Sequence, residues 1–142
     1  MFVKRKIVLV GGVFDILHYG HIHFLKRAKK LGDYLIVALE SDKNVKRLKG
    51  NNRPFHNQKQ RKEILEGLSF VDQVIVLKDR MTDADYERLV ISTSPNIIAV
   101  TEGDKMLEKK KSHAKRVGAK VIEIPFVKTH STSKIAKLLG LE

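Results

Sequence analysis

The 142-residue sequence predicts an α/β fold, with helices covering both faces of a doubly wound, five-stranded parallel sheet. Three observations carry that expectation. Five short runs rich in β-branched residues are apolar along their length, as strands buried on both faces are. Segments with helical periodicity and capping residues lie between them. The two kinds alternate with no repeat, low-complexity tract or linker, which is the order of βα units and predicts a single domain over residues 1–142.

In chain order, RKIVLVGG reads as the first strand, ended by its glycines. A helix is expected over 20–31, closed by Gly32. YLIVALE is the second strand, and 42–48 a short helix or loop. Asn57 caps a helix running to about Ser69, with Gln60 in the capping-box position. QVIVL is the third strand, and 83–92 is helical. NIIAV follows Pro95 as the fourth strand, then a helix over 105–117. AKVIEIPF is the fifth strand, and STSKIAKLLG a last helix with a hydroxyl cap and a closing glycine. The arrangement is Rossmann-like.

Composition narrows the function classes. Hydrophobic residues make up 42% and charged residues 31%, so the chain is globular rather than disordered. No apolar run is long enough for a membrane span, and MFVKRKIVLVGG has too short an apolar core for a signal peptide. Cysteine is absent, which removes disulfides and thiolate metal sites and accords with a cytoplasmic location. The net charge of +12 at pH 7 points to anionic partners. The lysines at 109–111 read as a solvated surface. The stretch Lys43–Lys62 differs, because it holds Lys43, Lys46, Arg47, Lys49, Arg53, Lys59, Arg61 and Lys62 with no acidic residue among them.

In sheets of this kind ligands bind outside the carboxyl ends of the strands, where strand order reverses. The segments placed there are GGVFDILHYGH, ESDKNVKRLKGNNRPFH, TEGDK and VKTHSTSK. On the first helix His21, Phe24, Leu25, Ala28 and Leu31 share the sheet-facing stripe, while His23, Lys26, Arg27 and Lys30 face water. His18 precedes the helix, close enough for its ring to approach that of His21 beside a terminus that favours anions. A satisfied histidine pair is the plain alternative. Zinc is another, but two histidines without a further ligand make an incomplete set. The glycines and the basic context favour phosphate. Arg61 lies in the first turn of its helix in register with Ile64, Leu65 and Leu68, so it points partly inward at an end where cations are unfavourable.

Gly12-Val13-Phe14-Asp15-Ile16-Leu17-His18-Tyr19-Gly20-His21 resembles the GxFDxxHxGH signature of the cytidylyltransferase-like nucleotidyltransferases. LGDYLIVALESDKNVKRLKGNNRP and QRKEILEGLSFVDQVIV resemble the heptose-phosphate adenylyltransferases of lipopolysaccharide-core synthesis. The short chain is similar to glycerol-3-phosphate cytidylyltransferase and the archaeal FAD synthases, and STSK resembles the serine-rich turn of the latter. An arginine-containing segment found before that turn in the glycerol-3-phosphate enzymes is replaced here by VKTHSTS. The resemblance implies that His18 and His21 contact the nucleotide phosphates, with Lys46 and Arg61 as further catalytic cations. It implies nucleotide contacts from Gly12, Val13, Phe14, Asp104, Ser131, Thr132 and Ser133, and acceptor contacts from Asp15 and Arg53. No protein metal ligand is implied.

The implied reaction moves a nucleoside monophosphate, AMP in preference, from a nucleoside triphosphate (ATP or CTP) to a phosphorylated acceptor such as FMN or a sugar phosphate. Pyrophosphate leaves, and Mg²⁺ travels with the triphosphate. A CTP-dependent glycerol-3-phosphate cytidylyltransferase is the alternative within the family, and a homodimer is the family's oligomeric state. A basic nucleic-acid-binding module is the alternative from another class. Nucleic acid is not the expected partner, since aromatics are only 6%, tryptophan is absent and no stacking platform is recognisable.

Overall fold

The computed structural model describes residues 4–140. Its elements run β1 (Ile7–Gly12), α1 (Tyr19–Lys30), β2 (Tyr34–Leu39), α2 (Asp42–Lys49), α3 (Gln58–Glu66), β3 (Gln73–Val76), α4 (Asp83–Thr93), β4 (Ile97–Thr101), α5 (Leu107–Lys115), β5 (Lys120–Ile124) and α6 (Thr132–Leu138). The five strands form one parallel sheet in the order β3-β2-β1-β4-β5. The fold is the expected Rossmann-like one.

Two apolar layers hold it. On one face Val8, Val10, Leu35, Val37 and Leu39 pack with Leu25 and Ala28 of α1 and Leu65 of α3. On the other, Leu9, Ile36, Ala38, Ile98 and Val100 pack with Val90 of α4 and Ala114 of α5. Successive residues of a strand point to opposite faces, so an unbroken apolar run feeds both layers at once. The edge strands have less cover: β3 keeps Val74 buried beside exposed Gln73 and Val76, and only Ile124 of β5 is buried.

Strand order reverses between β1 and β4. β1 is in register with β2 over six pairs, from Ile7–Tyr34 to Gly12–Leu39, but with β4 over two, Val8–Ile97 and Leu9–Ile98. Gly11 and Gly12 therefore extend past the last β1–β4 pair, and a crevice opens beside them.

Element ends depart from expectation in small ways with local causes. The Asn57–Gln60 capping box forms, but α3 stops at Glu66 with Gly67 as its cap, short of Ser69. The segment 42–49 is a helix, capped by the Ser41 side chain. Leu31, not Gly32, caps α1, and it does so in right-handed geometry. Gly32 is needed for space: a Cβ there would lie 2.5 Å from the Lys6 carbonyl oxygen and 2.8 Å from Val8 Cγ2.

Candidate active site

The crevice at the β1–β4 reversal holds a cavity of about 550 Å³, walled by the turn after β1, the start of α1, the chain after β5 and the start of α6. The motif residues explain one another here. Phe14 sits at φ 48° and folds its ring back over β1, where a Cβ on Gly12 would meet it at 2.6 Å. Its ring meets that of His21 edge to face, 5.3 Å between centroids. His18 is the N-cap of α1, and its Nδ1 accepts the Gly20 amide at 3.1 Å. A Cβ on Gly20 would sit 2.9 Å from His18 Cε1, so only glycine lets that ring fold over the helix start. The His18 amide in turn donates to His21 Nδ1 at 3.3 Å, closing a reciprocal capping box made of two histidines. Their rings stack with centroids 3.8 Å apart and planes 28° from parallel.

This arrangement fixes the tautomers. An Nδ1 that accepts an amide proton carries none itself, so the neutral ring holds its proton on Nε2. Burial lowers the pKa of His18. Burial, with the charges of His18, Lys49 and Arg53, pushes His21 down to about 4 against a weaker upward pull from Asp15. Near neutrality both rings are uncharged Nε2–H donors, held ready rather than recruited.

The other predicted positions separate into cavity walls and struts. Gly12, Val13, Phe14, Asp15, Arg53, Ser131, Thr132 and Ser133 line the cavity together with the two histidines. Ser131 caps α6 by accepting the Lys134 amide at 3.1 Å, the Thr132 hydroxyl donates to the Ile16 carbonyl, and Ser133 Oγ accepts from Arg53 at 3.2 Å. The Asp15 carboxylate is fully buried and turned toward the chain, accepting the Phe55 and His56 amides, the latter at 3.0 Å. Arg53 Nε lies 3.7 Å from that carboxylate, and its guanidinium lies over the Phe55 ring at 4.7 Å.

Arg61 is buried, as its register foretold, but it does not line the cavity. Its guanidinium donates to the carbonyls of His56, Val13 and Glu40 and to Asp42 Oδ1, at 3.0, 2.9, 3.0 and 2.8 Å. Four of the five donors of an arginine are thus spent joining the chain after β1, the chain after β2 and the start of α3. The cation at the helix terminus answers backbone carbonyls rather than a free anion. Lys46 is exposed and outside the cavity wall, whereas Lys49, three residues on, lines it. Asp104 accepts the Met106 amide at 2.7 Å and pairs with Lys110 at 2.6 Å, away from this cavity. His23, assigned to the water-facing stripe, is half-buried and reaches the cavity rim.

A second cavity of about 360 Å³ lies over the opposite face of the sheet, walled by α4, α5 and the ends of β2 and β4. Both cavities share Gly11, Gly12 and Val13 as a common threshold. Leu77, Met81 and Leu89 make much of the second wall apolar, with Glu40, Tyr86 and His113 among its polar members. Among the described residues no group of three or more His, Cys, Asp or Glu side chains could hold a metal ion. No described helix is long and apolar enough to cross a membrane.

Comparison with known proteins identifies the family. The cytidylyltransferase-like family model matches residues 9–137. An FAD synthase from Thermococcus sibiricus is 39% identical over 140 residues, covering 96% of this chain and 92% of that protein. The bifunctional protein HldE of Campylobacter concisus is 38% identical over 139 residues, 94% of this chain but only 27% of that much longer protein. Among solved structures, the lipopolysaccharide core biosynthesis protein of Thermoplasma volcanium superposes with a TM-score of 0.71 at 31% identity, covering 89% of this chain and 99% of that one. A pantoate-beta-alanine ligase from Francisella tularensis, at 20% identity and a TM-score of 0.61, shares the fold. With the signature, the crevice and the family model in agreement, the chain belongs to the cytidylyltransferase-like family and is a nucleotidyltransferase.

Proposed function

We propose that this protein transfers AMP from ATP to a phosphorylated acceptor, with FMN as the leading acceptor, and releases pyrophosphate. The observation that carries the reading is the histidine pair: two rings stacked at 3.8 Å, each with Nδ1 satisfied by the backbone, leave two Nε2–H groups as donors in a cavity at the sheet's reversal point. An oxygen of the acceptor phosphate attacks the α-phosphorus of ATP. That bond forms as the bond from the α-phosphorus to the bridging oxygen breaks, and pyrophosphate carries the electron pair away. The nucleophile is already an anion, so no general base is required. What the reaction demands is alignment and donors aimed at the oxygens where charge accumulates, which the two imidazoles supply without reorganisation. Lys49 and the hydroxyl-rich start of α6 border the same space. Mg²⁺ arrives with the triphosphate as part of the substrate, held mostly by the phosphates themselves.

FAD is FMN joined to AMP, so similarity to an FAD synthase along nearly its whole length supports both the donor and the acceptor. The second cavity supports the same choice. Its threshold is shared with the first, so an acceptor phosphate at Gly12 would leave the acceptor's body among Leu77, Met81 and Leu89, a wall suited to a flat, largely apolar ring system. On this reading the chain acts as a single domain, in the cytoplasm, as a homodimer.

The test is pyrophosphate release from the full chain with ATP or CTP, Mg²⁺, and FMN, a heptose phosphate or glycerol 3-phosphate. ATP with FMN is expected to be the productive pair. Turnover with CTP and glycerol 3-phosphate alone would replace the donor and acceptor. Pyrophosphate from no pair would overturn AMP transfer to any of these acceptors.

A further inference from the structure

The second cavity has one feature that an apolar ring does not explain. Of its charged members, Asp83 is tied to His113 at 2.9 Å and Lys110 to Asp104 at 2.6 Å, while Lys109 is exposed on α5. Glu40 is different, because it stands at the threshold itself. Its amide donates to the Gly12 carbonyl at 3.1 Å and its carbonyl accepts from Arg61 at 3.0 Å, so its backbone is fixed from both sides. Its carboxylate accepts from Asn44 Nδ2 at 2.6 Å, with Tyr86 as a neighbour on the same wall. That one bond leaves most of a carboxylate's acceptor sites for a ligand at the cavity wall.

We propose that Glu40 determines acceptor specificity, by accepting hydrogen bonds from the hydroxyls of a polyol phosphate next to the phosphate that receives AMP. The inference rests on the nucleotidyl-transfer reading above. An acceptor reaching across the threshold places its phosphate at Gly12 and the carbons that follow beside Glu40. A fixed carboxylate there repels the phosphate, keeping it on the histidine side, and suits neutral hydroxyl donors. An acceptor without hydroxyls strips water from Glu40 and offers nothing in return, which is how a polar site rejects a deoxy analogue. Asn44 and Tyr86 are positioning residues. Burial first, then the charge of neighbouring Glu40, pushes the Tyr86 hydroxyl up to about 12, so it stays a protonated, neutral neighbour of the carboxylate.

The experiment compares kcat/KM for FMN with that for a flavin bearing its phosphate on a plain alkyl chain, in the wild-type chain, Glu40→Ala and Tyr86→Phe. The wild-type chain is expected to prefer FMN by about 10²-fold or more. Glu40→Ala should bring that preference within about tenfold with the KM for ATP unchanged, and Tyr86→Phe should fall between. A wild-type chain indifferent to the hydroxyls, or a preference untouched in Glu40→Ala, overturns the assignment. If FMN gives no pyrophosphate but a heptose phosphate or glycerol 3-phosphate does, the flavin reading fails and Glu40 is judged by the same ratio for that acceptor and its deoxy analogue. Pyrophosphate from no acceptor overturns both.

Discussion

The histidine pair and Arg61 both bring N–H donors to neighbouring parts of the fold, and they use them in opposite ways. His18 and His21 spend one nitrogen each on the backbone and leave the other as a donor for a ligand. Arg61 spends four of its bonds on its own chain and lines neither cavity. A group can therefore belong to the signature of a site by touching the substrate or by fixing the distance between the segments that do. The difference lies in which atoms remain unspent.

Substitutions can break that comparison in order of size. Arg61→Ala should have the largest effect, a loss of about 3–5 kcal/mol in unfolding free energy, because it leaves three carbonyls without their donor and a buried void. A urea titration reads it, and the fraction still folded should keep kcat within about tenfold of wild type. His21→Ala should do the reverse, lowering kcat by about 10²–10³ while the lost half of the capping box costs only about 1 kcal/mol of stability. Lys49→Ala should raise the KM for the nucleotide by about tenfold, while Lys46→Ala should change it by less than about twofold, since only Lys49 borders the cavity. His23→Ala, at the rim, should alter kcat by less than about tenfold.

Acidity separates the regions further. His21 in the folded chain takes up its second proton only below about pH 4, against 6.5 when unfolded, so between those values the unfolded chain binds more protons. Its neutral state contributes stability that is fully present above about 6.5 and is lost as pH falls toward 4. Urea midpoints measured across that window should drop with acidity in the wild type and less steeply in His21→Gln. Arg61→Ala leaves the His21 ring in the chain and should keep the wild-type slope.

Much of the fold was legible because the three central strands, β1, β2 and β4, are apolar on both faces, the pattern of a covered parallel sheet. The Asn57–Gln60 box was legible because both residue types are ordinary cap formers. The histidine box was not, since histidine is no usual cap residue and the bond depends on ring placement that only the folded turn supplies. Arg61's inward register was readable, but its partners lie 5, 19, 21 and 48 positions away and no local pattern names them. That Lys49 rather than Lys46 borders the cavity carries a local signal: Lys49 follows the buried Val45 by four residues, on the same side of α2. Phe126 and Thr129 reach the cavity from the chain after β5, a meeting set by tertiary packing alone.

The central claim is that two neutral imidazoles, protonated on Nε2, meet one triphosphate. Imidazole ¹⁵N–¹H correlation spectra of the wild-type chain, at neutral pH with and without a non-hydrolysable ATP analogue, test it most directly. His18 and His21 should show the Nε2–H tautomer before ligand is added, and both Nε2–H signals should shift when it binds. Protons found on Nδ1, or two Nε2–H signals indifferent to a bound nucleotide, would contradict it.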